Sequence, residues 1–226
     1  MSLAEATTIP DSSAFTREVI RVYRRYQLEI VEACGLCPWA ERSRLEHKVG
    51  EWVVLDQNRS SNASSLAAMD EVFARDEIEI ALLIYPRLSC TRVEFERFVS
   101  RIRDADSQRH PLGKIPFMFA AFHPEAAPEL SNPERLIPFL RRTPDPTIQL
   151  VRASVVEKIR GKVPQGTQFY DAKTLLQDIE RPPPPVRDKI AQANFETVQK
   201  MGVDELRRRL DDIRRDRDES YLKFGA

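Results

Sequence analysis

Two short apolar runs, residues 78–85 and 115–122, separated by a stretch of helical periodicity, constrain the fold of this chain more than any other feature. Each is far shorter than the roughly 20 apolar residues that cross a bilayer. Apart from Glu79, each is also apolar at successive positions, so a strand formed there is expected to be covered on both faces. Buried strands joined through helices belong to α/β sheets, whose crossovers are right-handed. Between the runs, Thr91-Arg92-Val93-Glu94 has the form of a capping box and is followed by Phe95, Phe98 and Ile102 on one face, which predicts a helix to about Ser107. A turn at Pro111-Leu112-Gly113 then leads into the second run, with Pro116 tolerable near the strand start.

The rest of the chain extends this pattern in both directions. Residues 14–33 place Val19, Tyr23, Tyr26, Ile30 and Val31 at helical spacing, with Arg17, Arg21, Arg24 and Arg25 largely off that face. Residues 52–55 read as a short strand, and Asn62 as the cap of a helix over 63–75 with Leu66, Met69 and Phe73 inward. Beyond the second run lies the longest irregular region, residues 123–146, with six prolines and one helical piece near 133–141. A last strand is expected at 147–151, and Ser154 to Glu157 reads as a second capping box opening a helix that stops by Gly161. Further helices are expected at 171–179, 186–201 and 203–218, the last carrying Leu206, Leu210 and Ile213 on a narrow stripe. Such a stripe suits packing on the same domain or pairing with a second copy as a homodimer; a merely solvated helix is the plainer reading. The expectation is therefore an α/β sandwich of two or three layers, with a small, mainly parallel sheet of about four strands and C-terminal helices. It divides into a disordered lead (1–13), an α/β domain (14–180), a polyproline spacer (181–185) and a helical C-terminal extension (186–226).

Charge and cysteine usage narrow the function classes. Lysine plus arginine, 35, equals aspartate plus glutamate, 35, so no overall field draws nucleic acid or an anionic membrane, and either role would need a local patch. The cysteine count, 3, is odd, and residues 1–13 have neither a basic segment nor an apolar core of signal-peptide length. This reads as a soluble protein with free thiols in a reducing cytoplasm.

The chemistry centres on Cys34-Gly35-Leu36-Cys37-Pro38-Trp39-Ala40. Proline suits the first position of a helix, so Cys37 is expected to precede a short helix starting at Pro38, where unpaired N–H groups and the helix dipole favour thiolate. The plainer reading is that Cys37 and Trp39 fill a core beside a turn. Parallel strands end on one edge of their sheet, where ligands collect. Arg87 follows the strand at 78–85 and His123 the strand at 115–122, and if the last strand returns antiparallel, Arg142 enters the same edge. Two guanidinium groups beside an imidazole would suit a carboxylate or phosphate. Each residue also has a plain alternative, as a solvated arginine or a strand-end histidine. A thioredoxin-type dithiol ranks lower because here a helix precedes the cysteine pair. Zinc ranks low because Cys90, His47, His110 and His123 supply no second close pair. An axial haem thiolate at Cys37-Pro38 rests on two residues alone.

In order along the chain, Leu36-Cys37-Pro38-Trp39-Ala40, Tyr85-Pro86-Arg87, Phe122-His123-Pro124, Arg142-Thr143-Pro144-Asp145-Pro146, Leu150-Val151-Arg152 with Ala153-Ser154-Val155, and Asn194 through Gly202 resemble the landmarks of the DUF1415 family over roughly residues 18–202. The resemblance implies no activity but singles out Cys37, His123, Arg87, Arg142 and Arg152. Two departures stand out. Cys34 falls where the family pattern has no cysteine, which favours Cys37 acting alone, and Gln149 replaces the histidine of a Leu-His-Leu-Leu-Arg motif. The leading expectation is a cysteine-dependent enzyme acting on a small anionic metabolite, without metal or other cofactor. Cys37 would be nucleophile or redox thiol, His123 general acid/base, and Arg87, Arg142 and Arg152 the substrate-binding groups. The alternatives are a non-catalytic protein binding a small molecule or haem, and an interaction module using the C-terminal helices.

Overall fold

The computed structural model describes residues 12–37, 39–110, 115–160 and 186–225. The expected lead over residues 1–11, the turn at 111–113, the helix at 171–179 and the polyproline spacer lie outside the described residues. Four strands form one sheet: β1 (Val49–Val53), β2 (Ile80–Ile84), β3 (Phe117–Phe122) and β4 (Thr147–Arg152). Their spatial order is β1-β2-β4-β3. β1 pairs parallel with β2, while β4 pairs antiparallel with both β2 and β3. The expectation of a mainly parallel sheet is thereby corrected to a mixed one. β1, β2 and β3 do run the same way, but β4 enters between β2 and β3 and converts two of the contacts to antiparallel.

The crossovers set the layers. α3 (Ala63–Phe73) links β1 to β2, and α4 (Arg92–Arg109) links β2 to β3. Both crossovers progress across the sheet in the same direction, so right-handedness sends both helices to the same face. There Met69, Val72, Phe95, Phe98 and Ile102 pack on Ala81, Leu83, Ile148 and Leu150. The capping box of α4 is formed as expected, with the Thr91 hydroxyl accepting from the Glu94 N–H and the Glu94 carboxylate accepting from the Thr91 N–H.

The opposite face is left to helices that are not crossovers: α1 (Ser12–Tyr26), α5 (Pro133–Leu140), α7 (Val186–Met201) and α8 (Val203–Tyr221). Two shorter helices, α2 (Ala40–Leu45) and α6 (Ala153–Arg160), complete the eight α-helices among the described residues. α6 follows β4 directly, so Ser154 lies within the helix and does not cap it. The second core joins Phe15, Val19, Tyr23 and Tyr26 of α1 to Leu82 and Ile84 of β2, to Leu136 and Phe139 of α5, and to the α8 stripe Leu206, Leu210 and Ile213. The stripe is covered by this chain's own α1. Burial of such side chains contributes about 1.5–3 kcal/mol each. The ion pairs beside it, Arg21–Asp216 and Arg25–Asp212, are partly exposed and weak by comparison, about 1 kcal/mol each. Gly202, at φ +91°, makes the turn between α7 and α8 in a backbone region that side chains disfavour.

A three-layer α/β/α sandwich results, with an apolar core on each side of the sheet. No helix among the described residues is long and apolar enough to cross a membrane.

Candidate functional site

Strand polarity brings the ends of β1, β2 and β3 and the start of β4 to one rim, where Ile84 and Phe122 both pair with Thr147. His123 follows β3 there and is only 5% exposed. Its Nδ1 accepts from the Glu125 N–H at 3.1 Å, so the proton sits on Nε2, which donates to the Cys90 carbonyl at 3.1 Å. Burial holds the imidazole below its ordinary pKa. With both ring nitrogens engaged by backbone and the neutral form favoured, His123 fastens the end of β3 to the loop before α4. The Cys90 sulfur lies 4.0 Å from Nε2.

Arg87 places its guanidinium over the Phe15 ring at 5.1 Å and lines the same rim cavity as His123. Arg142 also reaches this rim, but its Nε donates to the Pro124 carbonyl at 2.9 Å and its Nη2 to Asp211 at 3.1 Å. It lines a small neighbouring crevice instead. Arg152, at the end of β4, lies at the opposite edge of the sheet. It donates to the carbonyls of Ile78 and Arg75, both at 2.6 Å, and of Val72 at 2.9 Å. These bonds fasten the C-terminal turn of α3, where a cation meets carbonyl oxygens and the negative end of the helix dipole.

Cys37 is placed by the end of the first helix. After Tyr26 the α-helix widens into a π-helical turn, Gln27–Glu32, a form often found at functional sites. Gly35, at φ +61°, closes it, and the Leu36 N–H reaches back to the Val31 carbonyl at 2.8 Å. Glu32 then holds Arg44 of α2 through two bonds of 2.8 Å, fixing the loop between them. Cys37 therefore stands on the wall of a cavity of about 680 Å³ on the face of the sheet. The backbone N–H groups of Trp39 and Ala40 point at its sulfur and favour thiolate, but burial outweighs them and pushes the thiol pKa up. The helix expected from Pro38 starts instead at Ala40, so a short α2 of 6 residues lends its dipole to Cys37. Burial raises the Cys34 and Cys90 thiols as well, and all three cysteines are free.

Cys37 and His123 line different cavities, one on the sheet face and the other at the rim. The expected pairing of sulfur with imidazole is not assembled.

The walls of the sheet-face cavity are mainly apolar, from Tyr26, Leu36, Trp39, Phe122, Ile137 and Leu140. Polar groups are few: Gln27, Cys37, Gln149 and Asn194, with Arg141 the one charged residue among the described lining. Gln149, singled out in the sequence as a departure from a histidine pattern, thus faces the cavity that Cys37 faces. No three His, Cys, Asp or Glu side chains among the described residues gather as metal ligands.

One group that sequence reasoning missed is Asp145, 2% exposed at the rim. Its Oδ1 accepts from Arg217 Nε at 2.9 Å and its Oδ2 from the Tyr221 hydroxyl at 2.6 Å, tying α8 to the entrance of β4. Burial pushes its carboxyl above the ordinary aspartate range, with Arg217 and Tyr221 pulling the other way. The sequence signal was an acid between two prolines; its partners lie more than seventy residues away.

No curated protein and no solved structure matches the chain. The family described as a protein of unknown function, DUF1415, matches residues 18–181, most of the chain. The chain therefore belongs to the DUF1415 family.

Proposed function

We propose that the protein binds a small, largely apolar molecule carrying one anionic or hydrogen-bond-accepting group, in the cavity on the sheet face. The observation that carries this reading is the cavity of about 680 Å³ itself, with apolar walls, a few polar groups and, among the described lining, a single charged residue, a cation. Sites of this size and composition are the usual receptacles of small ligands. Arg141 and the amides of Gln149 and Asn194 would orient the polar end, while Trp39 and Phe122 would hold the body. Binding is favoured over catalysis because a nucleophilic Cys37 needs a base, and the described lining includes no histidine, aspartate or glutamate. Three of the stretches that resemble the family's landmarks contribute to this wall, through Cys37, Phe122 and Asn194.

The test uses a Trp52→Phe protein, in which Trp39 is the remaining tryptophan, since the chain has 2. Anilinonaphthalene sulfonate and a series of straight-chain carboxylates serve as probes. Each buried methylene contributes about 0.8 kcal/mol, so two more carbons should tighten binding roughly tenfold, read as a change in Trp39 emission. Bound carboxylate should also slow alkylation of Cys37. Ala120→Phe, which fills the cavity from β3, should abolish both effects. Chain-length independence, or a Cys37 alkylation rate unaffected by saturating probe, would refute the reading even if the filled variant failed to fold.

A further inference from the structure

The rim holds a second cavity, of about 890 Å³, between the loop after β2, the connections around α5 and the C-terminal turn. Four cations line it, Arg87, Arg214, Arg217 and Lys223, with three acids, Glu125, Asp145 and Asp218. Arg217 pairs with both aspartates at 2.9 Å, which leaves Arg87, Arg214 and Lys223 with one other carboxylate, Glu125, among the described lining. None of these three cations has an acid within ion-pair reach among the described residues. The contrast lies on the same helix: Arg207, Arg208, Arg209 and Arg215 are each held by an acid of α8. The helix leaves a cation unpaired where it faces a cavity.

The three cations come from three segments: the loop after β2, α8, and the turn Leu222–Phe224. Arg87 is held beside the Phe15 ring, its guanidinium carbon 5.1 Å from the ring centroid. Converging positive charges of this number suit a dianion with several acceptor oxygens better than a single carboxylate. A concave site of this size, on a chain with no net charge, suits a small molecule better than a nucleic-acid backbone.

We infer that the rim cavity binds a phosphate group, free or carried on a small molecule, through Arg87, Arg214 and Lys223. Arg217, held by Asp145, forms part of the wall. This site is separate from the sheet-face cavity, and either can fail without the other.

The experiment titrates the full-length protein with inorganic phosphate and with glycerol 3-phosphate by calorimetry at constant ionic strength, with chloride as the control. Alkylation of each cysteine is mapped by mass spectrometry in parallel. Phosphate should slow modification of Cys90, which lines the rim cavity, and leave Cys37 unaffected. The Arg214→Ala, Lys223→Ala double variant changes two exposed side chains. It should weaken phosphate binding about tenfold or more at an unchanged melting temperature. Tighter binding of the ester would assign the site to a phosphorylated small molecule, and equal affinity to the free anion. Phosphate binding no better than chloride, unchanged affinity in the double variant, or unchanged Cys90 reactivity would each overturn the inference.

Discussion

Replacing Asp145 with alanine removes the acceptor that ties α8 to the rim, and the structure sets the size of the effect. The lost carboxylate leaves the Tyr221 hydroxyl, fully buried and previously bonded at 2.6 Å, without its partner. An unsatisfied buried donor costs about 1–3 kcal/mol. It also breaks the pair with Arg217, and breaking a buried ion pair from one side costs about 3–5 kcal/mol. Arg217 is better placed than most, because its side chain is 25% exposed and keeps Asp218 and the Pro86 carbonyl. The two costs overlap, so the expected loss is about 3–4 kcal/mol. Asp145→Asn, which keeps an acceptor for Tyr221, should lose less. Urea unfolding followed by circular dichroism measures these differences.

Combining Asp145→Ala with Arg217→Met should cost clearly less than the sum of the single changes, since removing both charges leaves neither stranded. The pH dependence supplies an independent sign. A carboxyl whose folded pKa lies above its unfolded value contributes stability that is present below the ordinary aspartate range and is lost as pH rises through the folded value. The advantage of wild type over Asp145→Asn should therefore narrow as pH rises out of that range. A loss below about 1 kcal/mol in the alanine variant, or strictly additive double-variant energies, would refute the buried-pair argument.

Two further perturbations separate structural from binding roles. Because burial depresses the His123 pKa below 6.5, the unfolded chain takes up its proton first on acidification; the contribution of His123 is complete above that value and is lost as pH falls through the folded pKa. His123→Gln should remove this part of the acid limb in stability measured from pH 8 downward, and stability curves parallel to wild type would contradict it. Arg152→Met keeps the alkyl stem but removes the bonds to Val72, Arg75 and Ile78 carbonyls; hydrogen bonds to charged groups contribute about 1.5–3 kcal/mol each, discounted here because the helix end meets water, so a loss of about 2–4 kcal/mol is expected. Probe binding at either cavity should stay unchanged, and lost binding at full stability would show that Arg152 touches ligand after all.

The rim was legible in the sequence because strand direction alone determines it. Once residues 78–85 and 115–122 are parallel strands with an antiparallel return at Thr147, Arg87, His123 and Arg142 must come to one edge, as they do. The insertion of β4 between β2 and β3 was not legible, since an apolar run carries no record of which neighbour it pairs with. Nor was the widening of the first helix at Gln27, because side-chain spacing over one turn barely distinguishes α from π geometry. The long-range partners of Asp145 left no local trace.

The separation of Cys37 from His123 has a different cause, and the chain does contain it. Two right-handed crossovers progressing the same way cover one face of the sheet with α3 and α4, so the N-terminal helix can pack only on the other. That helix delivers Cys37 to the uncovered face, whereas strand direction delivers His123 to the edge, and the two rules act along perpendicular directions of the sheet. Edge reasoning by itself treats every loop as a candidate neighbour; adding the face divides them. The face assigns Cys37, Gln149 and Arg141 to an apolar cavity suited to a ligand's body, and the edge assigns Arg87 to a charged one completed by α8. Arg214, Arg217 and Lys223 lie beyond residue 181, where the family match ends. The rim therefore owes most of its positive charge to the helical extension. The lining of the sheet-face cavity, by contrast, comes almost entirely from residues within the match, with Ile190, Ala191 and Asn194 of α7 as its additions.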